Sequence, residues 1–367
     1  MDLHAIQSGQ DKNVAARAAR VGLSLLSPGY RVANAARMAM FDAGLRKPKP
    51  LGRPAVSVGN LTAGGSGKTP TTVALCQHLL MRSARPCVLS RGYGGDEADE
   101  MRSLLGDGVR VCTDPDRAAI AAKALELDPG IDVFVLDDGF QHRQAARDLD
   151  LVLIDALQPW GHGRLLPRGL LREPIGALRR ADAVVLTRCD RADEPALQAI
   201  ERRVDETAAG LPTARTAFDW LDLLDHEDRP RPTTDLADLA VFGVCGLGNP
   251  RGFFGQLESA AQRLVGSQAL PDHHAYAHGE PLAHAQRAQA AGAQAVVTTG
   301  KDWVKWRRDV PPGGWPIPVL RPRLGLRWIA GGDAVLGKFD ALISNAASAS
   351  AMSPESSLEP RPGASPA

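Results

Sequence analysis

One stretch, GNLTAGGSGKTPTTVALC from Gly59 to Cys76, constrains the chain more than any other. An apolar run, PAVSVGN, leads into it and a pattern of helical spacing leads out, so the glycines lie in a turn between a strand and a helix. A turn of this kind lets successive backbone N–H groups converge on an anion with no Cβ in the way, and the helix N-terminus behind it favours negative charge. Thr62, Ala63, Gly64, Gly65, Ser66 and Gly67 form the cradle, Lys68 reaches the terminal phosphates, and Thr69 supplies a hydroxyl for magnesium. Thr62 stands at the first glycine position of the strict G-x-x-x-x-G-K-[ST] pattern, so the strand and helix on either side carry the identification. The expected ligand is a magnesium nucleotide.

The surrounding sequence agrees with an α/β class. PAVSVGN, PCVLSRG, DVFVLDDG, LDLVLIDA and ADAVVLTRCD read as buried strands. KTPTTVALCQHLLMRS and DRAAIAAKALEL, between them, read as helices. Strands alternating with helices predict a P-loop NTPase-like, mostly parallel sheet with ligands at the carboxyl ends of its strands. At 367 residues and 44% hydrophobic content the chain exceeds the usual size of one core. A second, smaller α/β domain is expected from LAVFGVCGLGNP, QAVVTTGKD and WPIPVLRP as strands and RGFFGQLESAAQRL and GEPLAHAQRAQAAG as helices. The expected boundaries are 1–45 for an N-terminal helical segment, 46–212 for the P-loop domain, 213–340 for the second domain and 341–367 for a disordered Ala/Ser/Pro tail. DHEDRPRPTTD, Asp225 to Asp235, reads as a connecting loop. In AARAARVGLSLLSPGYRVANAARMAMFDAG, Ala15 to Gly44, Pro28 is expected to split two short helices, which either pack on the domain or lie on a membrane surface.

A magnesium nucleotide site wants a carboxylate at the end of a neighbouring strand, and VFVLDD offers Asp137 and Asp138 there. VVLTRCD, Val184 to Asp190, loosely echoes the [NT]-K-x-D element that reads guanine, which keeps a GTPase-type regulatory or chaperone protein open as the alternative. With 43 Lys plus Arg against 42 Asp plus Glu, the net charge of +1 gives no reason to expect nucleic acid as partner. The five cysteines form no CxxC pair, which argues against zinc and disulfides and suits a reducing compartment. No apolar run approaches the ~20 residues needed to cross a bilayer.

The series VGNLTAGGSGKTP, SRGYGG, DDGFQHR, GHGRLLPRGLLREP and PDHHAY, in this order, resembles the tetraacyldisaccharide 4'-kinase family, the lipid A 4'-kinases, from about Pro54 through Trp306. The resemblance implies ATP and Mg2+ as cofactors, transfer of the γ-phosphate to the 4'-hydroxyl of the lipid A precursor tetraacyldisaccharide 1-phosphate, and a place at the cytoplasmic face of the inner membrane with the N-terminal helix on the inner-membrane surface. By position against the family's Gly-Asp-Glu-Pro segment it implies Asp99 as the catalytic aspartate, Asp96 being the other candidate. By PDHHAY it implies His273 as its partner, with His274 adjacent. Magnesium is then expected at Thr69 and Asp138, with Asp137 and Glu173 beside it, and Arg91, His142, Arg164 and Arg172 become candidates to clamp nucleotide or substrate phosphates. TTGKDW resembles the family's Thr-x-Glu-Lys-Asp segment with Gly300 in place of the glutamate.

Overall fold

The computed structural model describes residues 6–7, 13–92, 96–248, 250–272 and 274–352. In chain order the elements are α1 (Val14–Asp42), β1 (Ala55–Asn60), α2 (Lys68–Met81), β2 (Pro86–Ser90), α3 (Asp96–Leu105), β3 (Arg110–Thr113), α4 (Arg117–Leu127), β4 (Val133–Asp137), β5 (Leu149–Asp155), β6 (Ala183–Thr187) and α5 (Glu194–Thr207). They continue with β7 (Thr213–Leu224), β8 (Pro230–Arg231), β9 (Ala240–Cys245), α6 (Pro250–Ala260), β10 (Arg263–Ala269), α7 (Glu280–Ala290), β11 (Ala295–Val297), α8 (Gly300–Trp306), β12 (Val319–Ala330) and α9 (Gly332–Met352).

One sheet runs through the whole fold in the order β10-β9-β11-β12-β7-β6-β5-β1-β4-β2-β3, with β8 paired to β7. Every pairing is parallel except those of β7 with β12 and β8, so the sheet is two parallel halves joined by a long antiparallel ribbon. Along the ribbon Arg323 pairs with Asp222 across the strands. Parallel strands covered on both faces must be apolar throughout, and β1, β2, β4 and β6 are buried at every residue.

Each half has its own core. On one face of the phosphate-loop half, Val56, Val58, Leu75, Leu79, Val88 and Met101 cluster under α2 and α3; on the other, Val152, Ile154, Leu186, Leu197 and Ile200 pack under α5. In the second half, Val241, Leu257, Val297 and Leu320 meet beneath α6, and Phe242, Val244, Ala285 and Trp306 beneath α7 and α8. Helix α9 does not stay with β12. Its Val335 and Phe339 join the first half's core, and Asp340 binds His78 at 2.8 Å and Arg82 at 2.7 Å on α2.

Four expectations change. Pro28 does not divide α1, which is continuous from Val14 to Asp42. Proline removes one helical donor at a cost of about 3 kcal/mol. Here it lies on the exposed side, while Tyr30 and Asn34, two and six residues later, are hydrogen-bonded to the body, which offsets the loss. The segment read as a connecting loop from Asp225 to Asp235 contains the short strand β8 and the start of a helical turn. The Asp225 carboxylate accepts the N–H groups of Glu227 at 2.9 Å and Arg229 at 3.0 Å, making a tight turn that returns β8 to β7. The stretch read as one helix from Arg251 breaks after Ala260 into strand β10. At the C-terminus, α9 runs through Met352, across the first part of the segment expected to be disordered, in keeping with the helix propensity of its alanines; the rest of that segment lies outside the described residues.

Candidate active site

Gly67 is the N-cap of α2 with φ of +85°, a left-handed conformation, and a Cβ there would come within 2.3 Å of the Phe218 ring on β7. Only glycine fits. No side chain caps this helix, so the amide groups of its first turn are left for an anion. Pro70 lies in that turn, where its missing N–H costs nothing. The cradle is bolted from outside. Asn60 Nδ2 donates to Ser66 Oγ at 2.7 Å, Thr187 Oγ1 to the Ser66 carbonyl at 3.0 Å, and Arg188 to the Gly65 carbonyl at 2.8 Å. Ala63 N donates to the Leu170 carbonyl at 2.7 Å, which fixes the loop's entry along with the bridge between Thr62 and Leu171. These contacts hold the Gly65 and Ser66 carbonyls and so fix the backbone that leads into α2.

Thr187 and Arg188 belong to VVLTRCD. Arg188, itself paired with Asp155, occupies the position of the guanine-reading lysine, yet it grips the phosphate loop, and Asp190 is exposed. The segment holds the cradle rather than a base.

Asp137 and Asp138 end β4 beside the cradle, and they differ. Asp138 has φ of +51°, and both of its oxygens accept from Arg172 Nη1 at 2.8 Å while Lys68 Nζ stands 3.6 Å away. Burial pushes its carboxyl up, but Lys68 and Arg172 together outweigh burial and hold it below the usual carboxylate range. Asp137 is buried, one of its oxygens has no partner, and its carboxyl is pushed up to about 6 by burial, with the charges of Asp138 and Glu97 adding and those of Lys68 and Arg117 opposing. The orphaned buried oxygen of Asp137 and the hydroxyl of Thr69, in the first turn of α2, are hard oxygen donors of the kind that suits magnesium. Among the described residues no group of three or more His, Cys, Asp and Glu side chains is arranged as a preformed metal cage.

The remaining residues expected at the site are scattered. Glu173 is buried and bound to Arg180 at 2.9 Å. His142 is held near 4 by burial and by the charges of Arg117, Arg91, Arg147 and Arg37, so it is neutral at neutral pH and brings no cation to a phosphate. Arg91 is exposed at the end of β2, near enough for its charge to act on Arg117 and His142. Arg164 is exposed on the rim, where its charge and that of Arg20 act on Arg168. Asp99, on α3, binds Arg102 at 2.7 Å and Arg308 of the second half at 2.8 Å; Glu97 in the first turn of the same helix is the residue whose charge reaches Asp137. His273 lies outside the described residues, while His274 donates or accepts with Glu280 at 2.8 Å and its carbonyl is held by Lys305.

Arg117, fully buried, donates to the Asp137 carbonyl at 2.9 Å and fixes the end of β4. Its segment, TDPDRAA, carries the signal that finds it. Thr187 and Arg188 had a signal too, read for a different purpose.

A family model described as tetraacyldisaccharide-1-P 4'-kinase matches residues 19–326. The chain belongs to that family. A tetraacyldisaccharide 4'-kinase of Anaeromyxobacter sp. strain Fw109-5 is 41% identical over 343 residues, covering 87% of this chain and 91% of the relative. That of Geobacter sulfurreducens is 37% identical over 323 residues, covering 82% and 88%. Among solved structures, the "apo" form of LpxK from Aquifex aeolicus in complex with ATP is similar with a TM-score of 0.67 and 29% identity, covering 89% of this chain and 99% of that one. As a tetraacyldisaccharide 4'-kinase family member the chain is a phosphotransferase of α/β fold, and the GTPase alternative loses the one motif that favoured it. Among the described residues no helix is long and apolar enough to cross a membrane.

Proposed function

We propose that the chain transfers the γ-phosphate of ATP to the 4'-hydroxyl of tetraacyldisaccharide 1-phosphate, in lipid A biosynthesis, at the cytoplasmic face of the inner membrane. The observation that carries this reading is the pairing of an uncapped, glycine-opened helix N-terminus with Lys68 and with the orphaned carboxylate of Asp137.

Lys68 and the first-turn amides of α2 hold the terminal phosphates of ATP. Thr69, Asp137 and Asp138 would hold magnesium, which would supply neutralisation of charge on the phosphates. Arg172, already at Asp138, stabilises charge as the phosphoryl group moves. Asp99, on the helix whose Glu97 reaches Asp137 electrostatically, accepts the proton of the sugar hydroxyl, with His273 as its partner. In the state described, Asp99 is engaged by Arg308 and Arg102, and both must release it before it acts as the base. The division is a membrane-resting segment over 1–45, a phosphate-loop unit from 46 to 212, and a second unit from 213 that closes over it and excludes water, with α9 returning to the first unit.

Membrane contact falls to the outward face of α1. Val14, Val21, Leu25 and Val32 share it at 82%, 62%, 76% and 68% exposure, and Arg20, Arg164 and Arg168 stand close enough to act on one another's charge. An apolar stripe beside arginines suits an anionic lipid surface.

The test is transfer of radiolabelled γ-phosphate to detergent-solubilised tetraacyldisaccharide 1-phosphate. Labelling is expected from ATP and not GTP, reduced about 10²- to 10³-fold by Lys68→Ala. Equal labelling from GTP, or a Lys68→Ala variant of wild-type rate, overturns the reading.

A further inference from the structure

The face of α1 opposite the apolar stripe reaches into the site. Tyr30 Oη donates to the carbonyl of Arg172 at 3.0 Å, and Asn34 Nδ2, one turn on, donates to the same carbonyl at 3.3 Å. The N–H of Arg172 donates to the Leu61 carbonyl at 2.7 Å, where β1 enters the phosphate loop. Residue 172 is thus pinned at both ends, by the phosphate loop on one side and by α1 on the other. Its guanidinium meets both oxygens of Asp138 at 2.8 Å and Gln141 Oε1 at 3.4 Å. Gln141 is tied to the same two elements. Its amide donates to the Asn60 carbonyl at 2.9 Å, and its own carbonyl accepts from Arg37 of α1 at 3.1 Å. Tyr30, Asn34 and Arg37 follow at i, i+4 and i+7, the spacing of a single helical face.

We propose that Tyr30 and Asn34 are positioning residues for phosphoryl transfer, acting through the main chain of Arg172, so that the helix facing the lipid also sets where the arginine stands. The inference rests on the kinase reading above and on Arg172 acting in it. Asp138 and Gln141 hold the guanidinium, but on a glycine- and proline-rich loop its position also depends on what holds the backbone, and a misplacement of about 1 Å can cost on the order of 10²-fold in rate. Two neutral hydrogen bonds to one carbonyl account for part of that. Tyr30→Phe and Asn34→Ala delete the donors and leave the ring and the helix in place.

The experiment is a double-mutant cycle with ATP and the detergent-solubilised acceptor, measuring kcat, KM for each substrate, and the thermal midpoint of every variant. In the wild-type background the Tyr30→Phe/Asn34→Ala pair is expected to lower kcat about five- to tenfold with both KM values within about twofold. In an Arg172→Ala background the same pair is expected to change kcat by less than about twofold, because the group it positions is gone. Losses that multiply in the Arg172→Ala background overturn the proposal, as does a rise in KM with kcat unchanged, or a fall in kcat that tracks a lowered midpoint. Wild-type protein that labels no lipid defeats the kinase reading itself. Wild-type protein that labels lipid while the losses multiply defeats only this inference.

Discussion

The two halves of the sheet each bury an aspartate at the rim formed by strand ends and helix N-termini, and they treat it in opposite ways. In the second half, Asp302 is fully buried and each oxygen is met by donors: Gly246 N at 2.9 Å and Thr299 Oγ1 at 2.6 Å on one, Tyr276 Oη at 3.1 Å on the other. Three loops, after β9, β10 and β11, are fastened to one carboxylate. In the first half, Asp137 is as deeply placed but keeps an oxygen with no partner, and its proton affinity rises accordingly. A buried charge whose lone pairs are filled by the protein is a fastening; one left unfilled is a socket for a ligand.

Removing the fastening has the largest expected effect. Asp302→Ala strands the Gly246 amide and the Thr299 and Tyr276 hydroxyls together, and should cost roughly 3 kcal/mol in denaturant unfolding. Loss of under about 1 kcal/mol would break the comparison. Removing the socket's charge should do the reverse. The folded carboxyl of Asp137 titrates near 6, above its unfolded value of 3.8, so the native state holds more protons between those values and stability falls as pH rises through that window. Asp137→Asn is therefore expected to raise stability at pH 7.5 by about 2 kcal/mol, to change it little at pH 4, and to abolish transfer activity. A variant equally stabilised at both pH values would show that ionisation is not the cause. The smallest effect is at the seam. Gly300 leaves the space in which Glu100 stands, and a Cβ there would lie 2.9 Å from Glu100 Oε1. Gly300→Ala should displace that carboxylate at a cost of about 1 kcal/mol or less, read as a shift in thermal midpoint that vanishes in a Glu100→Ala background.

The phosphate-loop half was legible where its inner strands are buried on both faces and so read as unbroken apolar runs; the edge strand β3, with one buried residue in four, was not. Its cradle is a local feature with residues adjacent in sequence. What escaped was built from mixed or distant residues. Strand β7 carries no unbroken apolar run, because it joins the halves: Ala214 enters the first core and Leu223 the second, with partly exposed residues between them. Helix α3 opens with Asp-Glu-Ala-Asp-Glu, which has no apolar period to read, although acidic residues in a first turn complement the helix dipole. The Arg172–Asp138 contact joins positions 34 apart in sequence on separate loops, and the Asp99–Arg308 pair joins 209. No local pattern encodes such pairs. The Asp-Asp doublet was visible, but the unlike surroundings of its two members were not, because they come from Arg172, Glu97 and Arg117 on three different elements.

The return of α9 to the phosphate-loop helix has a consequence for biosynthesis. Val335 and Phe339 complete a core whose first strand begins at Ala55. A nascent chain emerging from the ribosome therefore lacks these two side chains of the phosphate-loop core until the last helix has been made, and that half completes its packing only then.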